Sequence, residues 1–134
     1  MRRNRILIIM LIALALWLAA CNRQNIAPGD IPGSGPTRGE ALFQLNPLGD
    51  LPGCVTCHSL KPGEQLVGPS MAEIATIAES QPTGLSAAAF LRQGILEPDA
   101  YLEPGFNPGA MPRYGEGLTA EDVDDLVAYL LTLK

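Results

Sequence analysis

One pentapeptide constrains this chain more than any other feature: Cys54-Val55-Thr56-Cys57-His58 holds two of its three cysteines and its only histidine. Two thiols three positions apart lie along one helical turn, where both can form thioethers with the two vinyl groups on one side of a porphyrin. The next residue then points an imidazole at the iron. C-x-x-C-H is the attachment signature of haem c, and one covalent haem is the cofactor expected here, held by Cys54, Cys57 and His58. A single histidine excludes bis-histidine haem, histidine-rich zinc sites and Rieske centres. A thioredoxin-like C-x-x-C would sit in a βαβ pattern, which the flanks do not show. Zinc would need a fourth ligand, and only the distant Cys21 is left to supply one.

The rest of the composition fits a chain that needs such a group. With 134 residues there is room for one small domain, and 14 glycines with 12 prolines make it loop-rich. A domain of this size buries only roughly two-thirds of its unfolded surface, so a large apolar cofactor at the centre supplies core that the chain lacks. The net charge of −5 argues against a nucleic-acid partner, for which a basic face provides most of the affinity.

Residues 1–20 read as a signal segment and not as part of the fold. Arg2, Arg3 and Arg5 precede an apolar run from Ile6 to Ala20, the layout of a basic n-region and a hydrophobic h-region. Leu18-Ala19-Ala20-Cys21 resembles the bacterial lipoprotein signal, which implies that Cys21 is acylated and becomes the first mature residue. The alternative is an uncut signal anchor. Cleavage leaves six basic side chains against fourteen carboxylates, a mature charge of −8, which anionic lipid repels. The lipid on Cys21 is then the membrane tether, and the place implied is the outer, periplasmic face of the bacterial cytoplasmic membrane. Residues 21–37 form a lipid-anchored linker with Pro28, Gly29, Pro32, Gly33, Gly35 and Pro36. Fully extended, Asn22–Thr37 spans about 50 Å. The domain proper is expected over 38–134.

Four helices are predicted within it and no strand, since no run alternates with period two. They are Arg38–Asn46, Pro69–Glu79, Ala87–Gln93 with Ser86 as N-cap and Gly94 as terminator, and Ala120–Leu133 capped by Thr119. In the last, Val123, Leu126, Val127, Leu130 and Leu131 make an apolar stripe. Glu121, Asp122, Asp124 and Asp125 crowd its first turns, where they suit the helix dipole, and read as a solvated face. The fold class expected is all-α.

The order Cys54–His58, Gly68-Pro69, Met111-Pro112 and a capped C-terminal helix resembles a monohaem class I c-type cytochrome over nearly all of 37–134. The stretch Ile95–Tyr101, Pro104-Gly105-Phe106 and Ala110-Met111-Pro112 is similar to the cytochrome domains of haem-copper oxidase subunit II and to the small cytochrome subunit of alternative complex III. The resemblance implies short helices wrapped around one haem with long loops. It also implies a close crossing of the first and last helices through Gly39, Phe43 and Tyr129, and a Pro69 carbonyl that receives the second ring N–H of His58. Residues Pro47–Gly53 depart from it, being longer than in many members.

With His58 used, the second iron ligand is a methionine, a lysine, a main-chain or solvent ligand, or nothing, and the mature chain offers two methionines. Met71 has helical spacing with Ile74 and Ala75 and reads as core packing. Met111, among Pro104, Gly105, Pro108, Gly109 and Pro112, is the better ligand, its alternative being a surface-loop side chain. A His58/Met111 iron has no vacant position, so the expectation is single-electron transfer and no enzymatic bond chemistry. Three roles fit: a cytochrome subunit of a respiratory or photosynthetic complex, an independent lipid-anchored shuttle, and a ligand-binding haem sensor. The acidic surface suits a redox partner with a basic docking face.

Overall fold

In a computed structural model, residues 26–134 are described; the expected signal segment 1–20, the acylation site Cys21 and the start of the linker lie outside them. Among the described residues there are five α-helices and no strand: α1 (Pro36–Gln44), α2 (Cys54–Cys57), α3 (Ile74–Ser80), α4 (Ala87–Leu96) and α5 (Ala120–Leu130). Short 3-10 turns at Pro28–Asp30, Pro98–Ala100 and Tyr114–Glu116 punctuate the loops. No described helix is long and apolar enough to cross a membrane.

The frame is the crossing of α1 over α5. Gly39 makes it: a Cβ there would run into the carbonyl of Asp125 and stand 2.8 Å from Cβ of Tyr129. Only a residue without a side chain lets the backbones approach this closely. One turn further on, Phe43 meets Tyr129 with ring centroids 5.5 Å apart and planes tilted by 55°. The contact that the resemblance implied is present. The stripe Val123, Leu126, Val127 and Leu130 is buried beside Leu42, Ile74, Leu91 and Ile95. α5 starts as its sequence predicts, with the Thr119 hydroxyl accepting from Asp122 N–H at 3.1 Å and Asp122 Oδ2 receiving Thr119 N–H at 2.8 Å.

Of the four acids of α5 expected on a solvated face, Glu121 and Asp124 are exposed and Asp122 and Asp125 are not. Asp122 and Asp125 are 2 % and 5 % exposed, because Arg38 of α1 lies between them. Its guanidinium donates to Asp122 Oδ1 at 2.6 Å and Asp125 Oδ2 at 2.7 Å. Its remaining donors reach the carbonyls of Ile31 and Pro28, each at 3.0 Å, and Gly35 N–H caps Asp125 Oδ1 at 2.5 Å. Part of the segment read as linker is thus strapped to the domain, and Pro36 and Thr37 form the first turn of α1. Burial alone would raise the Asp122 carboxyl, but the Thr119 hydroxyl and N–H together with Arg38 outweigh it and hold the group below its ordinary range.

Helix boundaries differ from expectation: α1 spans Pro36–Gln44 and not Arg38–Asn46, α5 ends at Leu130 and not Leu133, the single turn α2 is not among the predicted helices, and α3 and α4 differ for reasons that their neighbours supply. α3 begins at Ile74 and not at Pro69, because residues 69–72 bond elsewhere: the Pro69 carbonyl to His58, Met71 N–H to the Ser59 carbonyl at 2.8 Å, and Ala72 N–H to the Ser70 hydroxyl at 3.1 Å. Glu73, at φ 62°, turns the chain into the helix. α4 runs through Gly94 to Leu96, since a helical glycine costs only about 1 kcal/mol and Ile95 behind it is buried. It stops before Pro98, where the residue preceding a proline disfavours helix.

Candidate haem site

The elements leave one large apolar cavity, and it collects the predicted site. Cys54, Cys57 and His58 border it from α2 and its C-cap, Pro69 from the loop that follows, and Met111 from the loop before α5. Phe43, Leu48, Leu91, Ile95, Leu126 and Leu130 supply much of the wall. Phe90 and Tyr101, packed edge to face at 5.3 Å, stand on the cavity as well.

α2 is a single turn, opened by Gly53 and closed by His58 N–H on the Cys54 carbonyl at 2.9 Å. The turn sets both sulfurs on the cavity and ends in extended backbone at His58. The imidazole is then fixed twice. His58 Nδ1–H donates to the Pro69 carbonyl at 2.8 Å, which leaves Nε2 as the nitrogen free to bind a metal. Gly68 lies flat against the ring, where a Cβ would overlap Cε1 and stand 2.8 Å from Nδ1. Gly68 N–H in turn donates to the Cys57 carbonyl at 2.9 Å. Burial lowers the His58 pKa, the bond to Pro69 opposing it, so the neutral ligating form prevails. Burial likewise pushes the Cys54 thiol up to about 11.

Both candidate methionines border the cavity. Met71 is 9 % exposed and belongs to the buried cluster with Ile74, the core position expected of it, although it lies ahead of α3 and not on the helix. Met111 is half-buried, on a stretch without regular structure. The donor set fits haem c: two thiols on one turn, an oriented imidazole, an irregular thioether loop and apolar walls. Gly94 fits too, since it borders the cavity and nothing lies within 4 Å of where its Cβ would stand. Among the described residues no group of three or more His, Cys, Asp or Glu side chains is placed to hold a metal ion by itself.

Two contributors escaped sequence reasoning. Tyr114, 4 % exposed, borders the cavity and bonds Pro52, and its place three residues after Met111 was the available signal. Leu48, 1 % exposed, comes from the unusual 47–53 loop and had no periodicity to mark it.

Compared with known families, residues 36–134 match the family model described as Cytochrome c. No curated protein matches the chain.

Proposed function

The chain belongs to the cytochrome c family, an electron carrier with covalently bound haem c, and from that premise we propose that it serves as a lipid-tethered cytochrome subunit of a membrane electron-transfer complex similar to alternative complex III. Cys54 and Cys57 would hold the haem, His58 Nε2 and the Met111 sulfur would ligate its iron, and the haem would supply a one-electron ferric/ferrous couple. The observation that carries the ligand set is the single cavity on which both cysteines, the oriented imidazole and the Met111 loop meet.

The protein side of the chemistry follows from these surroundings. The Pro69 carbonyl fixes the imidazole so that it does not reorient when the iron charge changes. The apolar walls exclude water and would favour the less charged ferrous state, as would a neutral thioether, which would place the potential above that of bis-histidine ligation. With His58 and Met111 both ligating, the iron would be closed to substrate and would pass electrons one at a time.

The tethered role rests on Leu18-Ala19-Ala20-Cys21 and on a mature charge of −8, which leaves an acyl group as the means of holding this acidic domain at a membrane. A tether raises the effective concentration of nearby partners and removes the need for tight docking. Solubilisation of the native membrane in mild detergent tests the role. The chain should co-purify with other redox subunits; migration as a monomer would leave the lipid-anchored shuttle. Mass spectrometry of the N-terminal peptide should find acylated Cys21, and an unmodified Met1 or Arg2 would establish the uncut anchor.

A further inference from the structure

Tyr114 joins two loops that meet beside the cavity. Its hydroxyl donates to the Pro52 carbonyl at 2.6 Å, 62 positions back along the chain. Pro52 stands two residues before Cys54, and Tyr114 three after Met111. The loop on the Pro52 side is closed in its own right. Leu48 and Leu51 exchange N–H···O bonds of 2.9 and 3.3 Å, and Gly53 N–H donates to Asn46 Oδ1 at 3.1 Å. Leu48 is buried, and a Cβ on Gly49 would stand 3.6 Å from the Gly117 carbonyl. This is the stretch whose length departs from related cytochromes.

The Met111 loop has less to hold it. On its N-terminal side Gly109 N–H donates to Asp99 Oδ1 at 2.8 Å. On its C-terminal side the 3-10 turn Tyr114–Glu116 begins, and the buried tyrosine there carries the bond to Pro52. A phenylalanine ring would fill the same volume without the hydrogen bond.

We propose that Tyr114 is a positioning residue for the distal iron ligand: its bond to Pro52 ties the Met111 loop to the closed loop ahead of the attachment cysteines and limits how often the thioether leaves the iron. The inference rests on Met111 being that ligand. The conservative variant Tyr114→Phe separates the hydroxyl from the ring. Imidazole added to the ferric holoprotein binds only when the thioether has moved away, so its apparent affinity reports that event. Loss of one hydrogen bond should raise it about fivefold. The sulfur–iron charge-transfer band should fade at a lower temperature, while haem retention and far-ultraviolet circular dichroism stay as in the wild type. Tyr129→Phe, which removes a hydroxyl at the α1–α5 crossing, should change neither reading. Equal imidazole affinity and equal band loss in wild type and Tyr114→Phe, with the band present in both, would overturn the positioning role. A wild type that lacks the band and binds imidazole as tightly as Met111→Ala would overturn the ligand assignment itself, and the positioning role with it.

Discussion

Gly39 and Gly68 do their work by lacking an atom. At Gly39 the space for a Cβ is taken by the Asp125 carbonyl, which is helix backbone and cannot step aside without moving α5. Gly39→Ala should therefore destabilise the holoprotein by about 2–3 kcal/mol, in the range of overpacked cores. The midpoint of denaturant unfolding should fall with little change in slope. An unchanged midpoint would mean that the helices separate at no cost. The same scale shows what a sequence can and cannot display. The roles of Cys54, Cys57 and His58 follow from their spacing, because covalent haem attachment depends on local geometry. The partner of Tyr114 is 62 positions away, and nothing local to either residue announces it.

Elements obey the same division. The cap and stripe of α5 are local properties, and Thr119 with Val123, Leu126, Val127 and Leu130 stand where the 3.6-residue period puts them. The start of α3 was hidden because its first backbone groups are spent on the haem motif, and the end of α4 because burial of Ile95 outweighs one glycine. Asp122 and Asp125 looked solvated because their partner lies 84 and 87 positions earlier. That partnership sets a pH dependence. The Asp122 carboxyl is held below its ordinary value of 3.8, so its contribution to stability is complete above that pH and is lost as pH falls through the depressed folded value. Arg38→Met leaves two buried carboxylates without their cation and should cost roughly 3–5 kcal/mol at neutral pH. The deficit should shrink on acidification as Asp122 protonates. Urea titrations of both proteins across pH 3–7 check this; a deficit independent of pH would show that lost packing, not charge, is what the substitution removes.

The whole molecule is a haem domain with an acidic surface, strapped by Arg38 to the residues that lead from its N-terminal segment. Pro28 and Ile31 are held against the domain, so that part of the Pro/Gly-rich stretch packs with it. Complementary charge should speed encounter with a basic partner. The electron-exchange rate of a form lacking Cys21 should fall as ionic strength rises from about 20 to 200 mM, and a flat dependence would remove electrostatic steering. The central claim is that one iron is held between His58 and Met111 and passes electrons without opening to substrate. The far-red absorption spectrum of the ferric protein, recorded for the wild type, Met111→Ala and Met71→Ala, tests it most directly. Met111→Ala should lose the sulfur–iron charge-transfer band, and its ferrous form should bind carbon monoxide, while Met71→Ala keeps the band and stays closed. Loss of the band in Met71→Ala alone would contradict the account.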